Sequence, residues 1–163
     1  MKIRHATLQD FDRIMELMVN FANAAVYEPF WNPEYNDNYI RRLLITFQQE
    51  GCILLAVKDQ PDQPDQVDQT EIVVGMLIAH MQGDPWLPQI KTLKELAWWV
   101  EPEYRNTTAG YKLLKQYVKL GEGLTEKGKI KGFTLTNMTN SPVQNFEKFG
   151  WTKVETNYIW GGK

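Results

Sequence analysis

The sequence predicts a single α/β domain built around a mixed sheet, and three observations carry this. First, the β-rich runs "CILLAV", "EIVVGMLIAHM" and "TLKELAWWV" follow one another with short or polar links, so part of the sheet should be antiparallel. Second, a helical stretch separates the last of these runs from "IKGFTLTNM", so the unit from Thr92 to Met138 should be a right-handed parallel crossover. Third, 163 residues that are 43% hydrophobic and 23% charged suit one ordinary globular domain, residues 1–163. A chain of this length buries roughly 70% of its unfolded surface and needs no covalent staple.

The elements follow in order. Lys2 to Ala6 forms a short strand. Thr7 then caps a helix, with the acidic Asp10 three residues later. Phe11, Ile14, Met15, Met18, Phe21, Ala22 and Ala25 follow at helical spacing. Pro29 and Pro33 in "YEPFWNP" exclude a helix interior there. A second helix places Tyr39, Leu43, Leu44 and Phe47 on one face and stops near Gly51. After the three β runs, a helix from Ala109 to about Lys127 carries Leu113, Leu114, Tyr117 and Leu124 on one stripe. Its Gly121 and Gly123 each cost about 1 kcal/mol against Ala, and serve either close packing or a bend. "SPVQNFEKFG" reads as a short helix ended by Gly150, and "WTKVETNYIW" as a last strand or a bent pair. The order β-α-α-β-β-β-α-β-α-β gives six to seven strands and about four helices.

Composition removes several function classes. The net charge is −2 with no basic tail or stripe, which disfavours a nucleic-acid partner. The longest apolar run, Ile72 to Ala79, is far short of a membrane span, and the start of the chain carries no signal-type run, so a cytoplasmic location is expected with no membrane partner. Cys52 is the only cysteine, which excludes an internal disulfide and a cysteine-based zinc cluster; it reads as a core residue, and no metal ligand set is found. Asp59 to Thr70, "DQPDQPDQVDQT", is acidic and of low complexity. It is either a solvated hairpin loop or an acidic lip that attracts a cationic substrate.

The stretch with chemical content is "VEPEYRNTTAG", Val100 to Gly110. A strand leads through Pro102 and Arg105 into a helix. A helix start offers unpaired N–H groups and the positive end of the helix dipole, which together bind phosphate. No Gly-Lys-Ser/Thr follows, so this is not a nucleotide P-loop. The stretch resembles the fingerprint of the GNAT superfamily of acyl-CoA-dependent N-acyltransferases: Val-x-Pro-Glu-Tyr-Arg, then x-x-Gly-x-Gly/Ala opening a long helix. "VEPEYR" matches from Val100 to Arg105, Gly110 takes the second glycine position, and Leu113-Leu114 match the helix. Thr108 departs from the first glycine. "FEKFGW", Phe146 to Trp151, corresponds to a second family block, Tyr-x-Lys-x-Gly-Phe. Thr before Ala-Gly at the turn resembles a subset seen among bacteriophage acetyltransferases.

The resemblance implies the GNAT fold: a mixed, mostly antiparallel sheet with a splayed parallel pair, Thr92–Val100 and Ile130–Met138, and acetyl-CoA as cofactor. It implies that backbone groups of Trp99 and Val100 meet pantetheine. Those of Arg105, Asn106, Thr107, Thr108, Ala109 and Gly110 would meet the diphosphate, with Asn140 near pantetheine or CoA. If position 108 required a left-handed backbone, Thr would cost about 1–3 kcal/mol. If a right-handed helix start suffices, Thr fits and adds a hydroxyl donor.

Acyl transfer to an amine needs a neutral nucleophile, an oxyanion donor and a protonated leaving group. Glu95 is the first candidate for the base, against an exposed charge at a strand start. His80 is the second, against a hydrogen-bonded structural histidine, and His5 is weaker. Phe146 stands where the family carries a tyrosine acid, and Tyr111 and Tyr158 are alternatives that also read as packing. Tyr27, Phe30 and Trp31, with Trp86, offer aromatic walls to an amine acceptor, or cover a loop. The expected activity is acetyl transfer from acetyl-CoA to a primary amine, on a small molecule or a protein, by direct attack in a ternary complex. The rival is a CoA-binding interaction module with little or no turnover. Paired edge strands often make dimers in this fold, which allows a homodimer.

Overall fold

The computed structural model describes residues 1–24, 36–59, 71–143 and 145–156. Five strands form one sheet: β1 (Lys2–His5), β2 (Gly51–Asp59), β3 (Glu71–Gly83), β4 (Lys91–Val100) and β5 (Gly132–Thr134). Their spatial order is β1-β2-β3-β4-β5. The first three pairings are antiparallel and β4 with β5 is parallel. Helices α1 (Phe11–Asn23) and α2 (Asp37–Glu50) cover one face, and α3 (Ala109–Glu126) covers the other. The strand–helix–strand crossover read from Thr92 to Met138 is therefore present as β4-α3-β5.

Sequence accounts for the framework directly. Thr7 opens the first helical segment, and the Asp10 carboxylate accepts its amide at 2.7 Å and its hydroxyl at 2.9 Å. Arg4 grips the same carboxylate with two N–H groups, at 2.8 and 2.9 Å. Those hydrogen bonds from Arg4 hold the Asp10 carboxyl at about 2, well below the usual carboxylate range. In α2 the buried positions are Ile40 and Leu44, with Phe47 packed against the same core. Tyr39, expected on that face, is exposed, because the stripe runs i, i+4, i+7 from position 40.

Two expectations are corrected. Six to seven strands and about four helices were anticipated; the described residues hold five and three. The fourth helix, "SPVQNFEKFG", is reduced to one 3-10 turn, Glu147–Phe149, closed by Gly150 at φ 85°. The extra strands were to come from "WTKVETNYIW". Its described part, residues 151–156, pairs with no strand, and residues 157–163, with Tyr158, lie outside the described residues. Trp151 instead stacks on Tyr117, centroids 6.5 Å apart, and meets Phe133 edge-on at 5.4 Å. The strand expected from Ile130 to Met138 pairs only over Gly132–Thr134, since the chain leaves β4 after Thr134.

The two helix glycines have different roles. A Cβ at Gly121 would lie 2.5 Å from the Phe133 ring, whereas one at Gly123 meets nothing within 4 Å. Gly121 thus serves close packing of α3 on β5. We expect Gly121→Ala to lose about 1–3 kcal/mol and Gly123→Ala to gain up to about 1 kcal/mol, read from urea unfolding of each variant.

Candidate active site

Strands β4 and β5 pair at Thr92–Gly132, Leu93–Phe133 and Lys94–Thr134, and then separate. Two groups sit at the point of divergence. The Glu95 carboxylate accepts the Thr136 amide at 3.0 Å, reaching across the opening gap. The Tyr117 hydroxyl, on α3, lies 3.1 Å from the Leu93 carbonyl and 2.7 Å from that of Thr134, so it bridges the last paired rungs. Tyr117 is fully buried, and desolvation raises its hydroxyl well above the usual tyrosine range, so it acts as a neutral donor. Tyr117→Phe should cost about 1–2 kcal/mol and speed amide exchange at Phe133 and Thr134, measurable by hydrogen–deuterium exchange.

Glu95 is 4% exposed. Burial pushes its carboxyl up to about 7, against the opposing hydrogen bond from Thr136. The expectation of either a base or an exposed strand-start charge thus meets a buried carboxyl at the fork. His80 lies elsewhere. Glu95 is opposite Ala79, whose side chain belongs to the α3-side core, so both face α3. His80, the next residue, turns to the other face, where its ring is 5.3 Å from Phe47 of α2 and Nε2 is 3.9 Å from Glu50. The two candidate bases are therefore on opposite faces of the sheet. His5, in the edge strand β1, pairs with Leu54.

A bulge aims the backbone. Ile78 pairs with Ala97 and Ala79 with Glu95, which leaves Leu96 without a partner on β3. Before the bulge, Lys91 presents its carbonyl to the Lys131 amide on the β5 side. After it, the Glu101 amide bonds the Val74 carbonyl, at 3.0 Å. Alternation from that bond turns the peptide groups of Trp99 toward β3, and those of Trp98 and Val100 toward the gap. Trp98, not assigned from sequence, so joins Val100 at the open edge. Only the bulge, invisible in composition, decides this parity. The Val100 carbonyl is already taken by the Arg105 side chain at 3.1 Å.

The turn that follows β4 answers the question of Thr108. Its backbone is right-handed, φ −80° and ψ 2°, so a β-branched residue fits without strain. The amides of Arg105, Thr107 and Ala109 bond within the turn: to the Pro102 carbonyl, the Tyr104 carbonyl and the Thr107 hydroxyl. Those of Asn106, Thr108, Gly110 and Tyr111 have no partner among the described residues. Tyr111 was considered only for its side chain; its N–H is the addition that a first-turn count would have supplied. A Cβ on Gly110 would stand 3.7 Å from Trp98 and 3.9 Å from Val100, so internal packing does not force glycine there. The Arg105 guanidinium lies 4.4 Å from the Trp99 ring centroid, and the Trp99 indole N–H donates to Glu101 at 3.1 Å. Arg13 and Asn20 of α1 also donate to that buried carboxylate, so the turn is tied to α1.

Other expected site residues are placed as follows. Asn140 donates its side-chain amide to the Ala24 carbonyl at the end of α1. Phe146 is buried, 6.1 Å from the Trp98 ring. Tyr111 is exposed on the first turn of α3. Tyr27, Phe30 and Trp31 lie outside the described residues. Trp86 is 89% exposed at the tip of the β3–β4 hairpin and forms no wall among the described residues. The acidic segment between β2 and β3 also lies outside, apart from Asp59. Its anchors Asp59 and Glu71 pair with each other at the sheet end where Gly75 meets Val100, the end that carries the turn after β4.

A diverging strand pair that leads into a turn with free amides is what the GNAT resemblance implies. A sequence profile of the acetyltransferase (GNAT) family matches residues 11–151. The chain belongs to the GNAT acetyltransferase family. Solved structures agree in fold. One is a protein of Clostridium acetobutylicum described as a predicted acetyltransferase with acetyl-CoA: 13% identity, TM-score 0.67, 98% of this chain and 95% of that one. Another is an acetyltransferase of Trypanosoma brucei: 19% identity, TM-score 0.62, 98% and 97%. No curated protein matches this chain. As a GNAT acetyltransferase, the chain is an acyl-CoA-dependent enzyme with acetyl-CoA as cofactor. The free amides at Asn106, Thr108 and Gly110, beside a residue without a side chain, fit a diphosphate. No helix among the described residues is long and apolar enough to cross a membrane.

Proposed function

We propose that this GNAT acetyltransferase moves an acetyl group to a primary amine by direct attack in a ternary complex, with Glu95 as the base. The observation that carries the reading is a buried carboxyl, raised to about 7, at the apex of the β4–β5 fork. Acetyl-CoA, when bound, supplies the activated acyl carbon and the thiol leaving group. The amides of Asn106, Thr108, Gly110 and Tyr111 hold its diphosphate. The open backbone edge at Trp98 and Val100 orients the pantetheine arm and directs an N–H donor at developing negative charge. Glu95 takes the proton that the attacking amine gives up; a carboxyl near 7 is matched to that transfer at neutral pH. His80, on the other face, has no part in it.

Phe146 supports a second reading. A phenyl ring against Trp98 occupies the family's tyrosine position and donates no proton, so a CoA-binding module with little turnover keeps the same fold. A thiol-release assay with acetyl-CoA and a panel of amines separates the two. Acceptor-dependent release of CoA supports the enzyme. CoA-induced thermal stabilisation with no release on any amine supports the module.

A further inference from the structure

The β3–β4 hairpin carries a surface that acyl transfer does not use. The Asp84 side chain accepts the amides of Trp86 and Leu87 at 2.8 and 2.9 Å, the Asp84 amide bonds the Ile90 carbonyl, and the Ile90 amide bonds that of Leu87. The loop is thus braced from within, yet it holds Trp86 and Leu87 out to solvent. Beside it runs a line of lysines. Lys91 follows the loop directly, the Lys131 amide bonds the Lys91 carbonyl, and Lys127 and Lys129 form the turn after α3. All four are exposed, and none makes an ion pair among the described residues. The α3 C-terminus favours cations at Lys127 and Lys129, but that field explains neither Lys91 nor the indole.

We infer that Trp86 and the lysines Lys91, Lys127, Lys129 and Lys131 form a docking surface for an acidic segment of a partner protein. The choice of occupant follows from charge and shape. On a chain with a net charge of −2, these four unpaired cations outnumber the exposed carboxylates beside them, Asp84 and Glu126, so the complementary ligand is anionic. Lys91, Lys127, Lys129 and Lys131 lie on the β5 side of the hairpin, while Glu50 and His80, with the exposed Lys94 opposite His80, lie toward the β2 side. A line of cations from Lys91 through Lys131 and Lys129 to Lys127 suits an elongated ligand with an apolar group on Trp86 at one end. An exposed Trp on a braced loop is also the residue type and the rigidity that protein interfaces use as an anchor.

The test uses the full chain and a fluorescein-labelled peptide of alternating Glu and Leu, followed by anisotropy at roughly 50 and 300 mM salt. We expect saturable binding that weakens with salt. Trp86→Ala, and separately the pair Lys91→Glu with Lys131→Glu, should each weaken it by about tenfold or more. Both variants should keep the parent's melting temperature and affinity for CoA. A matching Lys-Leu peptide should not bind. The inference is overturned if the acidic peptide does not bind, or binds both variants as well as the parent. It is also overturned if phosphatidylserine vesicles or DNA bind through Trp86 and these lysines while the peptide does not. Affinity for CoA is read in the same samples, so failure of this surface is distinct from failure of the cofactor site.

Discussion

Glu95→Gln will transfer acetyl roughly 10²- to 10⁴-fold more slowly than the parent and will be more stable than the parent above pH 7. Both effects come from one buried carboxyl. Its value is about 7 in the folded protein, against an ordinary 4.5. Between those values the folded chain holds a proton that the unfolded chain releases. The stability this contributes is complete below about pH 4.5 and is lost as pH rises through 7. A difference of that size corresponds to about 3 kcal/mol. Glutamine stays neutral at every pH and still accepts the Thr136 amide, so the variant avoids the loss. Thermal melts from pH 4 to 9 should show parent and variant together at the acid end and separated at the alkaline end. Thiol release by the parent should rise with pH through about 7, and the variant should lack that rise. Equal turnover in the two proteins would remove Glu95 from the chemistry. Parallel melting curves would show that its carboxyl is not desolvated.

Thr108→Glu will weaken binding of CoA by about 100-fold or more while leaving the fold intact. Thr108 is exposed, caps α3 and makes no side-chain cap bond, so its removal breaks nothing inside the protein. A carboxylate at a helix start gains about 0.3–1 kcal/mol from the dipole, so the free protein should melt unchanged or slightly higher. The same carboxylate occupies the field intended for phosphate and repels it. Loss of one or two charge-assisted hydrogen bonds, at about 1.5–3 kcal/mol each, sets the expected weakening. Calorimetric titration of CoA, with the melting temperature as control, decides it. Unchanged affinity would place the diphosphate elsewhere.

What could be read in advance follows a physical division. The α3 stripe of Leu113, Leu114 and Tyr117 and the antiparallel β2-β3-β4 run are local periodicities, and they appear as expected. The turn after β4, with its unpartnered amides, was legible because Pro102, Arg105 and Gly110 are local constraints on one short stretch. The β4 bulge was not, since one unpaired residue is set by cross-strand register, and it exchanges Trp98 for Trp99 at the open edge. The role of Tyr117 was also hidden: at helical spacing it reads as packing, and only the meeting of α3 with two strands brings its hydroxyl to two carbonyls. The burial of Glu95 depends on the same long-range contacts. The region from Ser141 to Gly150 misled because a helical pattern over ten residues, with Pro142 near its start, is too short to hold without tertiary support.

The open rim of β4 has a consequence for the life of the protein before it meets its ligand. Past Glu95 no described strand continues the sheet beyond β4, and the amides of Trp98 and Val100 and the Trp98 carbonyl have no backbone partner among the described residues. A thioester arm laid along that rim would act as a missing strand. Empty protein should then be the form prone to clumping and to digestion, and the supply of acetyl-CoA should govern how long each molecule survives.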